Sequence, residues 1–217
     1  MSSDQPATTL APLNISCGMT KCDDGLHCFK QKRRRANQSV TSGGACKECG
    51  TELVNWERLS NRDFSDITHT VQSLKNEFIR HHFWHEEFTP EAINYARRKG
   101  TQGLRLASEQ RIRKSVGPAQ EKLPFDGRQT PTKDIKNPIF SAQHAMACCC
   151  RKCIEYWHGI PRERELTELE VKYLSDLIMH YLEQRFPGLP MLGEKVPAIR
   201  KKSSQVSIEK GEASDSH

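Results

Sequence analysis

Cysteines and histidines are concentrated in two stretches of this 217-residue sequence. Residues 143–160, QHAMACCCRKCIEYWHGI, contain four of the nine cysteines and two histidines, and residues 17–49 contain the other five cysteines. Disulfides, a metal ion bound by thiolates, or small thiols packed in a core could each explain such clusters. The rest of the sequence decides between them.

The cellular compartment that we expect for this protein disfavours disulfides. The first residues lack the basic and apolar regions of a secretory signal, and no later stretch approaches the roughly eighteen apolar residues of a membrane helix. We therefore expect a soluble, cytoplasmic protein with no membrane contact. Disulfides are rare in that reducing compartment, and an odd number of cysteines leaves at least one unpaired. Metal binding is the leading interpretation, and two zinc ions are expected.

The motif CKECG at residues 46–50 predicts the first zinc site. Two cysteines separated by two residues can place both sulfurs on one ion through a tight turn. They need two more ligands from upstream, where Cys17 and His27 are the substitutes for the preferred pair. The predicted ligands are Cys22, Cys28, Cys46 and Cys49.

The motif CRKC at residues 150–153 predicts the second site. His158 follows the motif after four intervening residues and supplies a third ligand. His144, Cys149 and His85 compete for the fourth place, with His144 preferred. An iron–sulfur cluster from residues 148–153 ranks lower because adjacent cysteines rarely all reach one cluster. The predicted ligands are His144, Cys150, Cys153 and His158.

Helices must position these ligands, because apolar residues recur at helical spacing and no strand-rich stretch is present. One helix is predicted from Asp63, with a buried stripe that continues as far as His85. Thr89 and Pro90 begin another helix, which Gly100 ends. A capping box at residues 167–170 begins the last.

The predicted fold class is mainly α: a helical domain with an embedded Cys/His metal site, preceded by a small zinc-ribbon-like module. Composition gives the boundaries, because both ends are rich in Ser, Pro, Lys and Glu with little apolar content. We predict a disordered tail at 1–15, the module at 16–60, the helical domain at 61–188 and a second disordered tail at 189–217.

Two motifs carry a family resemblance: DGRQTP at residues 126–131 and AQHAMACCCRKCIEYWHGI at residues 142–160. Over residues 78–182 the sequence resembles an uncharacterised bacterial family, a domain of unknown function marked by DG(R/K)QTP and AQHAxAxCCxxCxxxWHGI. The sequence departs from this pattern at Cys148, where threonine is expected. The resemblance implies one structural unit containing Gln143, His144, Cys149, Cys150, Cys153, Trp157 and His158, and it supplies no function.

Basic residues point to nucleic acid, because a formal net charge of +6 is concentrated in two runs. One lies within residues 30–35 and the other within residues 97–114. Zinc-stabilised, sequence-tolerant binding to the phosphates of DNA or RNA is therefore the leading functional hypothesis. The predicted contact residues are Lys32, Arg33, Arg34, Arg35, Arg97, Arg98, Arg105 and Arg111.

Two other function classes stay open. One is a metal-dependent hydrolase acting on a phosphoester, in which three protein ligands at the second site leave a position for water. Its candidate catalytic residues are Asp126, Arg128, Gln129 and His144. Thiolate-rich sites are more often structural, so an enzyme is the less favoured reading. The other is a protein-interaction adaptor with Trp56, Trp84 and Trp157 as candidate anchors.

Overall fold

The computed structural model describes residues 15–29, 44–123, 127–133, 135–197 and 199. These residues form α-helices connected by turns and short 3₁₀ segments, with only two isolated β-bridges. The fold is therefore mainly helical. The α-helices of the described ranges are α1 (Trp56–Ser60), α2 (Ile67–Lys75), α3 (Phe78–His85), α4 (Pro90–Ser115), α5 (Pro138–Ala145), α6 (Arg151–His158) and α7 (Glu168–Arg185).

Local sequence signals begin two of the long helices. The Thr89 side chain accepts a hydrogen bond from the Ala92 amide, with proline at the next position, and α4 follows. Thr167 and Glu170 form a reciprocal capping box at the start of α7. Both helix starts confirm the sequence prediction because capping depends only on residues within one turn.

One hydrophobic core lies between the helices. α7 packs against α4 and α5, and α3 packs against α5. The core also includes Phe29, Cys46 and Val54, which precede the helices. The amino-terminal segment therefore shares its apolar contacts with the helical part. The domain boundaries expected from composition stay a prediction.

The helix expected to continue from Asp63 to His85 is interrupted between α2 and α3. The His27 amide donates to the Asn76 carbonyl (2.8 Å), and the Phe78 amide donates to the His27 carbonyl (2.9 Å). A short parallel bridge between His27 and Glu77 replaces helical hydrogen bonds at this point. The apolar stripe continues through the interruption, so periodicity alone predicted one helix.

Aromatic side chains attach the amino-terminal segment to α1 and α6. Phe29 is fully buried and packs edge-on against Trp56 and Trp157, with ring centroids about 6 Å apart. The Tyr156 hydroxyl donates to the Phe29 carbonyl. Trp84 and Trp157 are buried and Trp56 is half-buried, so core packing explains the tryptophans better than exposed anchors do.

The sequence predicted a helix end at Gly100, whereas α4 continues past Gly100 with a kink there, and part of the expected carboxyl-terminal tail lies against the kink. Gly100 has φ 62° and ψ 177°. The amides of Thr101 and Gln102 lack helical partners there and donate instead to the carbonyls of Pro190 (3.0 Å) and Met191 (3.1 Å). In the described parts of the chain, no helix combines the length and apolar character needed to cross a membrane.

Candidate metal centres

The first candidate centre brings together four side chains from the amino-terminal segment. Cys22, His27, Cys46 and Cys49 each offer one ligand atom, and these atoms all lie within 4.8 Å of one another. His27 is fixed by its bridge to Glu77, while Cys46 and Cys49 lie on a tight turn. The group has the three-cysteine, one-histidine composition of a structural zinc site.

Two measured separations fit a tetrahedral ion. Zinc–sulfur bonds of about 2.3 Å at tetrahedral angles place two sulfurs about 3.8 Å apart. The Sγ atoms of Cys22 and Cys46 are 3.8 Å apart, and Cys49 Sγ lies 3.4 Å from His27 Nδ1. A disulfide would require an S–S distance of about 2 Å. The spacing is therefore that of ligands around one ion.

The turn at residues 46–50 directs backbone amides toward its own thiolate. Burial raises the pKa of Cys46, but hydrogen bonds from the amides of Cys49, Cys28 and Glu48 and from the His27 ring outweigh burial and lower it to about 6. Gly50 closes the turn with φ 76°, a left-handed conformation that glycine adopts at little cost. Such amide–sulfur bonds favour the deprotonated state that metal binding requires.

The structure differs from the sequence prediction in one ligand of this centre. It brings Cys22, Cys46 and Cys49 together as predicted, but His27 lies with them in place of Cys28. Cys28 is buried, and its Sγ donates to the Cys17 carbonyl (3.3 Å). Successive side chains of an extended segment point in opposite directions, so only one of residues 27 and 28 can face the centre.

The second candidate centre lies where α5 gives way to α6. Cys149, Cys150 and Cys153 are 3%, 4% and 6% exposed, and their sulfurs lie within 4.8 Å of one another. Cys150 is the residue before α6, and Cys153 lies in its first turn. Ala147 turns the chain with φ 55°. The helix amino terminus, with its partial positive charge, favours thiolates at this place.

Arg80 is the buried positive charge beside these sulfurs. Its Nη2 lies 3.1 Å from Cys153 Sγ and its Nη1 lies 3.7 Å from Cys149 Sγ. Nη1 also donates to the His144 carbonyl (2.6 Å), and Nε donates to a Glu77 carboxylate oxygen (3.0 Å). The same Glu77 oxygen accepts a bond from Trp157 Nε1 (3.0 Å). The guanidinium is thus held rigidly against the sulfurs.

Hydrogen bonds among the thiols and the charge of Arg80 favour one thiolate. Bonds from Cys149, Cys150 and Cys17 lower the pKa of Cys153 well below its usual range. The corresponding bonds and burial raise the pKa of Cys150. These hydrogen bonds and the Arg80 charge therefore favour a thiolate at Cys153 within this group.

The two histidines predicted as ligands here have other partners. His144 Nε2 bonds to the Pro131 carbonyl (2.9 Å), and its ring stacks on Phe83 at 4.4 Å. His158 Nε2 bonds to the Met146 carbonyl (3.0 Å), and its Nδ1 lies 3.3 Å from the Tyr173 hydroxyl. Burial lowers the pKa of both rings to about 4, so both are neutral core residues. The structure groups Cys149, and neither histidine, with Cys150 and Cys153.

Comparison with known families covers the part of the chain that contains this second centre. Residues 68–183 match a family model described as "Domain of unknown function (DUF4186)". This match spans more than half of the sequence. The chain belongs to this family. No solved structure matches the chain. The DUF4186 match confirms the resemblance to an uncharacterised family, while the exact motif pattern and a bacterial source stay predictions.

The DUF4186 region contains three cysteines of the second centre and the residues that support them. Glu77, Arg80 and Trp157 all lie within it, as do Cys149, Cys150 and Cys153. The first centre lies entirely before residue 68. The second centre is therefore a feature of the matched domain, and the first belongs to the segment that precedes it.

Three of the four residues suggested for phosphoester hydrolysis lie within the described ranges, and their surroundings differ. Asp126 lies outside the described residues, and Arg128 is exposed. The Gln129 carbonyl accepts a bond from Arg111 Nη2 (2.5 Å), and His144 is 3% exposed. A general base must reach substrate, and His144 is closed off from solvent.

The basic residues of α4 have mixed surroundings. Arg97 pairs with Glu194 and Arg105 with Asp176, each with an N–O distance of 2.6 Å. Arg111 is half-buried and donates to Gln143 Oε1 (3.1 Å). Arg98 is exposed. The remaining predicted contacts, Lys32, Arg33, Arg34 and Arg35, lie outside the described residues.

Proposed function

We propose that this protein binds two zinc ions and that both ions are structural. The observation that carries the proposal is the first centre, where one nitrogen and three sulfurs converge at tetrahedral spacing. Thiolate and imidazole are the ligands that zinc prefers, and sites rich in thiolate are usually closed. The second centre adds three buried sulfurs with an arginine beside them.

Single ions fit these distances better than the alternatives do. All nine cysteines fall within the described ranges, and no disulfide joins any two of them, so disulfides do not account for the clusters. A polynuclear iron–sulfur cluster places irons and sulfides between its cysteines and would hold them farther apart than the 4.8 Å limit observed. A calcium or magnesium ion would require oxygen ligands.

Metal binding would supply folding free energy to the amino-terminal segment. The segment contains little regular secondary structure and contributes few apolar side chains to the core. Ligand side chains rarely form a site in the unfolded chain, so binding free energy becomes folding free energy. The first ion would therefore hold together the amino-terminal segment, which supplies all four of its ligands.

Elemental analysis of the purified full chain tests this proposal. We expect two equivalents of zinc per chain, falling to one in Cys153→Ser. Cys148→Ser is the matched control, because Cys148 is equally buried but bonds to the Met146 carbonyl (3.2 Å) outside the cluster. Loss of zinc in both variants, or in neither, would contradict the assignment of the second centre.

Nucleic-acid binding is a second candidate function. We restrict the proposed contact residues to 32–35. These residues lie outside the described ranges, and in the sequence they fall between His27 and Cys46 of the first centre. Four successive basic residues could contact phosphates without reading the base sequence. In contrast, Arg97 and Arg105 already have acidic partners.

Two charge variants separate the loop from α4. Replacing residues 32–35 with glutamine should weaken binding to DNA and RNA of any sequence and flatten its salt dependence. The matched control replaces Arg97 and Arg105 with glutamine and should leave affinity nearly unchanged. Equal losses in the two variants would place the contact surface elsewhere, and no binding by the wild type at low salt would reject the candidate.

A further inference from the structure

A cysteine from outside the DUF4186 region reaches the second centre. Cys17 is half-buried, packs against the core and forms a hydrogen bond with the side chain of Cys153. Cys153 in turn contacts Cys149 and Cys150. The sulfurs of Cys149, Cys150 and Cys153 form the group within 4.8 Å, and Cys17 adjoins this group through Cys153.

The backbone around Cys17 is held in position at several points. The Cys17 carbonyl accepts a bond from Cys28 Sγ (3.3 Å), and the Gly18 carbonyl accepts one from the Lys47 ammonium. Met19 donates its amide to the Ser16 carbonyl (3.2 Å), which closes a turn beside Cys17. These contacts make the approach of Cys17 to the cluster part of the fold.

We propose that Cys17 is the fourth ligand of the second metal centre, completing a buried tetrathiolate site with Cys149, Cys150 and Cys153. This inference rests on the proposed function, because it assumes that the second centre holds an ion. It names the ligand that the DUF4186 region does not supply. The class of ion is a single thiolate-preferring divalent metal, with zinc as the expected occupant.

The surroundings favour a closed site over an open one. A catalytic zinc keeps one coordination position for water or substrate, which requires access from solvent. The three domain cysteines are at most 6% exposed, and Cys17 lies against Cys153. Four thiolates would place excess negative charge in the core, and the Arg80 guanidinium lies 3.1 Å from one of them to offset part of it.

With this assignment, the amino-terminal segment contributes ligands to both centres. Cys17 would bind the second ion, while Cys22 and His27 would bind the first. His27 also pairs with Glu77, whose carboxylate holds Arg80 against the second centre. Loading of one centre would therefore favour the arrangement that the other requires.

Thiol labelling of the zinc-loaded wild-type chain tests the inference. The full protein would be treated with a maleimide, digested and mapped by mass spectrometry, with bound zinc measured on the same sample. Half-buried Cys17 should resist labelling while zinc is bound and react after chelation. Exposed Cys49, a ligand of the first centre, provides the internal reference for protection by metal.

Two variants test the fourth-ligand assignment without relying on how accessible each thiol is to the label. Cys17→Ala should lose one of two zinc equivalents to a chelator that leaves the wild type loaded, whereas Cys148→Ala should keep both. If Cys17 labels freely while both zinc ions stay bound, or if Cys17→Ala keeps both under that chelator, the fourth-ligand assignment is overturned. The proposed function fails separately if the purified wild type holds no zinc.

Discussion

At the residue scale, the choice between His27 and Cys28 shows how the first centre is built. The two neighbours point in opposite directions, and the bridge of His27 to Glu77 turns the imidazole toward Cys49. Cys28 faces the core instead and donates to the Cys17 carbonyl. Adjacent side chains of similar chemistry thus have different roles.

Substitutions at these two positions give opposite expectations. His27→Ala should lose one zinc equivalent because it removes a ligand, whereas Cys28→Ser should keep both because serine can donate the same hydrogen bond. Metal content measured by elemental analysis, with circular dichroism to check helicity, distinguishes them. Loss of zinc from Cys28→Ser alone would restore the four-cysteine assignment made from sequence.

Arg80 is the residue whose charge the second centre depends on. Arg80→Lys keeps a positive charge but cannot contact Glu77, His144 and two sulfurs in one plane. We expect zinc affinity at the second centre to fall about 10–100-fold, the usual effect of removing a group that supports a ligand. A chelator competition series measures this, with Arg58→Lys as control because Arg58 pairs with Asp66 at the surface. Equal affinities in both variants would show that Arg80 is not needed.

Short spacing in the sequence predicted which cysteines of one turn lie together, whereas the other members of each cluster depend on the fold. The turn at residues 46–50 is local, so Cys46 and Cys49 follow from the motif. His144 and His158 lie near the second motif in sequence, yet Nε2 of each ring bonds to a backbone carbonyl, of Pro131 and Met146 respectively, and neither ring joins the sulfur cluster. Nothing in the spacing of residues 143–160 reveals where those carbonyls lie.

At the element scale, the kink in α4 depends on Gly100. A Cβ at Gly100 would lie 2.6 Å from the Leu192 backbone, and φ 62° with ψ 177° suits glycine alone. Gly103 lies three residues further on in a regular part of the same helix, where a Cβ meets only the flexible Lys99 side chain at 3.3 Å. The same glycine-to-alanine change therefore has opposite consequences.

We expect Gly100→Ala to lower the free energy of unfolding by about 1–3 kcal/mol or more, through strain and displacement of residues 190–193. Gly103→Ala should raise it by about 0.5–1 kcal/mol because alanine loses less conformational entropy in a helix. Chemical denaturation of the zinc-loaded proteins measures both. A neutral Gly100→Ala would mean that the 190–193 segment does not pack on the kink.

The sequence predicted the helix ends better than the helix interruption. Thr89 and the capping box at 167–170 act within one turn, and the structure has both. The interruption at residues 76 and 77 arises from a partner fifty residues earlier in the chain, since His27 takes backbone bonds there. An apolar stripe indicates which side of a segment is buried. It does not indicate whether a distant residue forms hydrogen bonds with the backbone of that segment.

At the scale of the whole molecule, metal binding and folding should be linked. Removing zinc from the full chain with a chelator should lower the melting temperature, because ligand binding to the folded state alone stabilises it. Added zinc should restore the original value, and magnesium should not, because it prefers oxygen ligands. An unchanged melting temperature in protein shown by elemental analysis to be metal-free would contradict this linkage.

Native mass spectrometry of the purified full chain tests the central claim most directly. The account predicts that the folded protein carries the mass of two zinc ions, less the protons that the ligands release, and that acid denaturation returns the mass of the fully reduced chain. A folded species with the bare chain mass, or a mass two hydrogens lower for each disulfide formed, would contradict it.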